Sequence, residues 1–351
     1  MNILYGVPSE GMGHATRSKV IIDHLLKQHN VQVVTSDRAF TFLSQHFPNR
    51  IHRIDGFHLA YKNAALSFGA TVLNTLKNAP KNLLRNFHQY INIVNNFDID
   101  LVISDFESFT HFYAKLHKKS LISIDNMQVI DRCALDIIIP REEKLNYGLA
   151  KSIISGKVFH ADSYLITSFF RPPIRKKHTD YIPSIIREEI LSAKKTIKDH
   201  IVVYQTSTSQ KNLIPLLQSL PNEHFIVYGF HKEEQHGNVT LKEFSEVGFV
   251  HHLASSKAVL SNGGFSLLSE AVYLHKPIFS VPIKNQFEQF VNASYIEKLG
   301  YGRGFEKFSS DNLKAFLFDL KLFQESLSHY SQKGNEETFA SIDREIVRVT
   351  S

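Results

Sequence analysis

Two short stretches of this chain combine residue types and spacings suited to chemistry. The first is Ser261-Asn-Gly-Gly-Phe-Ser-Leu-Leu-Ser-Glu270. Val259-Leu260 ahead of it reads as the end of a buried strand, Asn262-Gly263-Gly264 as a tight turn, and Ser266 to Leu274 as a helix by its apolar spacing. A strand, a Gly-Gly turn and a helix in succession aim backbone N–H groups and the positive end of a helix dipole at one spot, which suits a phosphate. Glu270 falls about a turn and a half into that helix, where its carboxylate can reach a ribose hydroxyl. A Gly-Gly turn also ends many strands with no ligand involved, so the rest of the chain has to decide.

The second stretch is Gly11-Met-Gly13-His14-Ala-Thr-Arg17, three residues after the strand expected at Asn2 to Val7. Glycines Gly11 and Gly13 let a ligand approach the backbone closely. His14 opens the following helix, a place and a residue type for a general base. Asp105 ends the buried run Asp100-Leu-Val-Ile-Ser-Asp105. Strand ends of one parallel sheet converge, so Asp105 can orient His14; it can equally cap the helix that follows it.

These residues need a scaffold, and the chain supplies an alternation. Strands are expected at Asn2–Val7, Val31–Thr35, Asp100–Asp105, Ser120–Ile124 and Tyr164–Thr167, with helices between them. The pattern restarts with Ile201–Tyr204, Phe225–Tyr228, Thr240–Lys242, Ala258–Ser261 and Pro277–Val281. Such alternation argues an α/β protein with doubly wound parallel sheets. Arg171-Pro-Pro and Arg175-Lys-Lys interrupt it. The expected division is a Rossmann-like domain over residues 1–168, a linker over 169–183, a second Rossmann-like domain over 184–325 and a C-terminal helix over 326–351 that packs back on the first domain. The two domains should face each other across a cleft, where open α/β sheets bind ligands.

With 351 residues and 43% apolar content, two cores are affordable. No run approaches the roughly 18 apolar residues of a membrane span. Met1 to Val7 reads as a strand rather than a charged leader, and the single Cys133 suits a reducing compartment, so cytoplasm is expected. The net charge of +6 is unevenly placed. Lys62, Lys77, Lys81 and Arg85 lie in the acid-free stretch Gly56–Phe97 among many apolar residues. That composition suits either peripheral contact with an anionic membrane or a helix pair packed on the first domain. No Trp, no nucleic-acid motif and no dense basic cluster are present, which argues against nucleic acid as a partner. Asp98-Ile-Asp100 has the spacing of a metal-binding Asp-x-Asp but precedes a strand instead of ending one, and His251-His252 lacks a companion Cys or carboxylate at ligand spacing, so no metal is expected.

Taken together, Gly11-x-Gly-His14-x-x-Arg17, Asn262-Gly-Gly-Phe-Ser-Leu-Leu-Ser-Glu270-Ala and Gln286-Phe-Glu288-Gln289-Phe-Val-Asn292-Ala resemble the GT-B glycosyltransferases. The resemblance is nearest to the MurG-like, family 28-like branch, including chains that begin with a GEGxGHATR-type loop. It covers both halves in order, with dense matching confined to these loops. It implies an inverting, metal-independent transfer of a sugar from a nucleotide-sugar, UDP-linked by preference, to a hydroxyl acceptor that can be lipid-linked. By the same resemblance, His14 is the base with Asp105 behind it, and Gly11, Gly13 and Arg17 form the acceptor-side loop. Asn262, Gly263, Gly264, Phe265 and Ser266 would hold the donor diphosphate, Glu270 the ribose, and Glu288 with Gln289 the donor sugar. Arg187 matches a position that contacts phosphate, Phe249-Val250 the loop lining the base, and Thr206 and Ser207 offer hydroxyls to the phosphates.

Two departures from the family pattern concern the donor. Asn262 replaces a phosphate-binding His of plant and animal relatives, and Gln205-Thr-Ser-Thr-Ser209 replaces a glycine-rich turn. Two other readings keep the fold: a nucleotide-sugar hydrolase that passes the sugar to water, and a non-catalytic protein that binds a sugar nucleotide or glycan.

Overall fold

A computed structural model describes residues 1–8, 11–55, 61–62, 65–66, 85–205 and 212–351. The chain divides into two compact units. One is built mainly of the residues up to Ile185 together with Asn335–Ser351, the other of Ile186–Gly334.

The first unit carries a seven-stranded sheet. Its strands are β1 (Asn2–Gly6), β2 (Asn30–Thr35), β3 (Ile51–Arg53), β4 (Leu101–Ser104), β5 (Ser120–Asp125), β6 (Ser163–Thr167) and β7 (Thr179–Ile182). They lie in the order β3-β2-β1-β4-β5-β6-β7, every neighbouring pair parallel. The winding direction reverses between β1 and β4, and Gly6 pairs with Ser104 at the carboxyl end of both. Such a reversal leaves the loops after the two strands splayed apart, which is where open α/β sheets place ligands.

The interior strands are buried on both faces and read as nearly continuous apolar runs, as a covered parallel sheet requires. Ile3, Tyr5, Ile103, Ile122 and Leu165 form the core with Ile21, Ile22 and Leu25 of the helix Met12–Leu25. Ile342 and Ile346 of the helix Glu336–Thr350 join the same core.

The division expected from sequence needs two corrections. Residues 179–182, assigned to a linker, form β7 and pair in parallel with β6 through Tyr164–Thr179 to Thr167–Ile182. The prolines and cations at 171–177 drew the boundary too early, because Ile182 is fully buried and the strand belongs to the first core. Residues 326–334 stay with the second unit, and only Asn335 onward joins the first.

The second unit repeats the design with β8 (His200–Tyr204), β9 (His224–Tyr228), β10 (Glu234–His236), β11 (Val239–Lys242), β12 (Ala258–Ser261), β13 (Ile278–Ser280) and β14 (Gly302–Gly304). The order is β10-β11-β9-β8-β12-β13-β14, parallel except for the β10–β11 edge hairpin. Here the reversal falls between β8 and β12, whose carboxyl ends pair at Tyr204 and Ser261. Val203, Val227, Leu260 and Phe279 from the strands pack with Leu313, Phe316 and Phe323.

Candidate active site and donor-binding loops

In the first unit, the loop after β1 and the loop after β4 meet at the sheet's reversal. Gly11 has φ +85, in the left-handed region, and passes the chain into the helix Met12–Leu25. His14 stands in the first turn of that helix. Its Nδ1 lies 3.0 Å from Asp105 Oδ1, with 16% of the His14 side chain and 1% of the Asp105 side chain exposed.

Arg17, one turn further along the same face, is buried on the same carboxylate. Its Nε donates to Asp105 Oδ2 at 2.9 Å, its Nη2 to Asp105 Oδ1, and its Nη1 to Asn126 Oδ1 at 3.0 Å. Ser18 Oγ donates to Asp105 Oδ2 at 3.0 Å. Burial alone would raise the Asp105 carboxyl, but the charges of Arg17 and His14 and their hydrogen bonds outweigh it and hold the group far below the usual carboxylate range. Asp105 is therefore an acceptor only.

Nη2 of Arg17 is also 2.7 Å from His14 Nδ1. Nδ1 cannot present a lone pair to that arginine without also presenting it to the carboxylate. The consistent arrangement has Nδ1–H and Nη2–H both donating to Oδ1. The lone pair of His14 then sits on Nε2, the nitrogen a base would use.

A second carboxylate lies beside this cluster. Asp125, the last residue of β5, is fully buried, accepts from Ser123 Oγ at 2.8 Å and accepts from Gln128 N at 2.9 Å. Burial, reinforced by the charge of Asp105, pushes its carboxyl up to about 6. No local signal marks this, because an Asp at a strand end looks the same whether or not a second carboxylate shares its surroundings.

In the second unit, Gly263 has φ +91, and a Cβ there would lie 3.0 Å from Ser280 Oγ and 3.1 Å from the Gln289 carbonyl. The turn can close only with glycine at that position. It is pinned from several sides. Ser261 Oγ accepts from Gly263 N at 3.2 Å, Asn292 Nδ2 donates to the Gly263 carbonyl at 3.0 Å, and Asn262 Nδ2 donates to the Val281 carbonyl at 3.1 Å. Gly264 then starts the helix Phe265–Tyr273, bringing no side chain to cap its first N–H groups, while Ser266 stands in its first turn. Glu288 and Gln289 open the helix Phe287–Lys298, and Gln289 Oε1 accepts from Ile283 N at 2.8 Å. The structure thus brings together the Gly-Gly turn and the start of the Glu288-Gln289 helix.

Other expectations fare differently. Glu270 and Arg187 are found holding each other: Nε to Oε1 at 2.7 Å and Nη2 to Oε2 at 2.9 Å, both residues buried. Phe249 and Val250 are not on a loop. Ser245 caps a helix over Glu246–Ser255, and both side chains turn into the core, 3% and 7% exposed. The ring left outside is Phe244, 54% exposed, packed 5.8 Å from Phe249 and 6.4 Å from Tyr228 between ring centroids. The signal for it was present as a second aromatic four or five residues before the helix core, just ahead of the capping Ser245. Thr206 and Ser207 lie outside the described residues, as do Lys77 and Lys81; Gln205, next to them, is buried at the end of β8.

Asp98 and Asp100 sit at the opposite end of β4 from Asp105, where Asn2 N donates to Asp100 Oδ2 at 2.8 Å. Among the described residues no group of three or more His, Cys, Asp or Glu side chains is placed to hold a metal ion, and no helix is long and apolar enough to cross a membrane.

Comparison with known proteins gives a consistent picture. The family model described as glycosyl transferase family 1 matches residues 1–321. A protein of Methanosarcina mazei described as an uncharacterized glycosyltransferase is 22% identical over 332 residues, 86% of this chain and 85% of that one. Among solved structures, the glycotransferase of kitacinnamycin superposes with a TM-score of 0.69 at 14% identity, covering 98% of each chain. A calicheamicin glycosyltransferase gives 0.68 at 14% identity, over 100% of this chain and 99% of that one. A Phytolacca americana enzyme complexed with UDP-2-fluoro-glucose and pterostilbene gives 0.65 at 11% identity, over 100% of both. The two parallel-sheet units are those of the GT-B fold.

Proposed function

The chain belongs to glycosyl transferase family 1 and is a glycosyltransferase, and from that premise we propose an inverting, metal-independent transfer from a UDP-sugar to a hydroxyl acceptor. The observation that carries this reading is the His14–Asp105 contact at 3.0 Å, with Arg17 on the same carboxylate. It leaves His14 Nε2 as a free base. In the proposed step the acceptor oxygen bonds to the anomeric carbon from the face opposite the leaving group. The bond from that carbon to the diphosphate oxygen breaks, and the acceptor proton passes to Nε2. The result is an inverted glycoside and a nucleoside diphosphate.

The departing diphosphate carries negative charge that must be met. Gly264 and the start of the helix Phe265–Tyr273 would supply backbone N–H groups and a helix dipole, which could do this without a cation. Glu270 would accept from the ribose hydroxyls, and Glu288 and Gln289 from and to the sugar. Phe244, the exposed ring of its cluster, would stack on the base in place of the buried Phe249. The Phytolacca enzyme's UDP-sugar complex supports UDP as the first nucleotide to try.

The acceptor is proposed to be presented at a membrane surface. Phe87, Ile91 and Val94 stand exposed one turn apart on the helix over 85–96, the pattern of an apolar stripe facing outward.

The test is incubation of purified protein with UDP-, dTDP-, GDP- and CMP-sugars. Tight binding of the UDP series with little release in water, and transfer when hydroxyl acceptors are added, is the expected result. Rapid sugar release without acceptor would replace transfer by hydrolysis. Binding with no turnover under any acceptor would remove the catalytic role of His14.

A further inference from the structure

The helix Lys144–Lys157, in the connection from β5 to β6, buries only Ile154 of its 14 residues. Leu145, Leu149 and Ile153 follow one another at a spacing of four and are 73%, 37% and 40% exposed. Gly148, Ser152 and Gly156 stand exposed between them. The middle of this outward face therefore carries no charge, whereas a helix face turned to water ordinarily does. The charges sit at its edges. Lys144 and Lys151 are exposed, Lys157 lies 4.3 Å over the Phe106 ring, and residues 144–161 contain no Asp or Glu.

The face continues onto its neighbours. The β3–β4, β4–β5 and β5–β6 connections all step the same way across the sheet, so right-handed crossovers put their helices on one side of it. Ring contacts join them: Tyr90 of the helix over 85–96 lies 6.1 Å from Tyr113, and His111 lies 4.3 Å from Phe159, between centroids. The helix Ser108–His117 between them leaves Phe112 and Leu116 exposed, next to the exposed Lys115.

We propose that the helix Lys144–Lys157 lies flat on an anionic lipid surface, with Leu145, Leu149 and Ile153 below the headgroups and Lys144 and Lys151 among them. This rests on the membrane-presented acceptor proposed above and adds a second element that meets the lipid. At about 21 Å the helix is too short to span a bilayer but long enough to rest on one. Charge selects lipid over a second copy of the chain. Two such helices face to face would gather six lysines with no acid on either helix, whereas anionic headgroups meet each lysine with an opposite charge. A crossover helix runs back against its strands, so Leu145 lies toward the strand ends that carry Asp105, and Ile153 away from them. Binding scales with the apolar area buried and the charge met, so loss of either this stripe or that of the helix over 85–96 releases the protein.

The chain has no Trp, so Leu149→Trp introduces a single indole on the outward face. Its emission should shift to the blue and be quenched by phosphatidylglycerol vesicles with brominated acyl chains, and not by brominated phosphatidylcholine. Val347→Trp is the control, on an exposed position of the helix Glu336–Thr350, which packs with the helix Met12–Leu25 on the other side of the sheet. That variant should bind the same vesicles with its indole unquenched. Lys144→Gln with Lys151→Gln should weaken vesicle binding by roughly 10–30-fold. An unquenched indole in vesicle-bound Leu149→Trp overturns the proposal and leaves the helix over 85–96 as the contact. Equal quenching in both tryptophan variants overturns it as well, since adsorption would then have no preferred face. A blue shift without lipid that follows protein concentration would put a second copy on this face instead. The underlying reading fails separately: wild type that does not co-sediment with phosphatidylglycerol vesicles removes the membrane-presented acceptor, and this inference with it.

Discussion

Arg17, one helical turn after His14, neutralises the very carboxylate that orients His14. Asp105 accepts from Arg17 Nε at 2.9 Å while its other oxygen faces His14 Nδ1 at 3.0 Å. A single buried charge is thus shared by the ring proposed as the base and a buried cation. Changing Asp105 consequently does two things at once, and changing His14 does only one. His14→Ala should lower turnover by roughly 10²–10⁴-fold, the usual worth of a general base, with the melting temperature and nucleotide affinity little changed. Asp105→Asn should lower turnover and also cost about 3–5 kcal/mol of stability, because Arg17 is left buried without its partner. An Asp105→Asn protein that melts like wild type would show that the Arg17 pair contributes nothing to the fold.

The two glycines of the turn proposed for the donor should respond in opposite ways. Gly263 combines φ +91 with close neighbours at Ser280 and Gln289, whereas a Cβ on Gly264 would meet nothing within 4 Å at φ −65. Gly263→Ala should cost about 1–3 kcal/mol and weaken nucleotide binding, since the turn must shift to fit. Gly264→Ala should be neutral or stabilising by up to about 1 kcal/mol. Denaturant melts and calorimetry on the two variants separate these outcomes, and equal damage from both would mean the backbone conformation is not what the turn requires.

Phe244 and Phe249 divide binding from stability. Phe249→Ala removes a ring that is 3% exposed and should cost about 3–5 kcal/mol. Phe244→Ala should leave the melting temperature nearly unchanged and weaken UDP by about 1–3 kcal/mol, the range for one base on one ring. Unchanged UDP affinity in Phe244→Ala would take the base off this ring.

Asp125 should make stability fall as pH rises through the acid range. Its carboxyl titrates near 6 when folded, against an ordinary 3.8. A group whose folded value is raised contributes fully below the unfolded value, and the contribution is lost as pH climbs through the folded one. The loss is roughly 3 kcal/mol, complete above pH 6. Asp125→Asn keeps an acceptor for Gln128 N and a donor for Ser123 Oγ. Its advantage over wild type should therefore be absent near pH 4 and grow toward pH 7. Asp105 runs the other way, since its depressed value gives stability that is present above pH 3.8 and lost on further acidification. Comparing the variant with wild type at each pH cancels that contribution. A stability difference that does not change between pH 4 and 7 would place Asp125 at an ordinary value.

Phe87, Ile91 and Val94 provide the test of where the acceptor is met. Replacing all three by Ser should release the protein from anionic vesicles while leaving UDP affinity intact, because these residues lie in the first unit and the loops proposed for the donor in the second. Wild-type protein that does not co-sediment with anionic vesicles at low salt would point to an acceptor in solution.

The sequence by itself determined the alternation of strands and helices, the loops at which the sheets reverse, the positions of Asp105 and Gly263 just past strand ends, and that of His14 at the start of a helix. Those follow from local rules: apolar runs of strand length, glycines where the chain must turn sharply, and polar residues where a buried strand comes out. Tertiary structure decided what each long polar side chain does. Arg17, Arg187 and Glu270 reach several ångströms from their own backbone, so their partners depend on which elements pack beside them, and nothing in their local spacing encodes that. The same holds for the rings: Phe244 and Phe249 look alike in sequence, and only the capping of a helix at Ser245 turns one inward and leaves the other exposed. The boundary at Ile185 was hidden for a related reason. Thr179–Ile182 is a strand because β6 offers it an open edge, while the prolines and cations just before it describe only the turn that leads there.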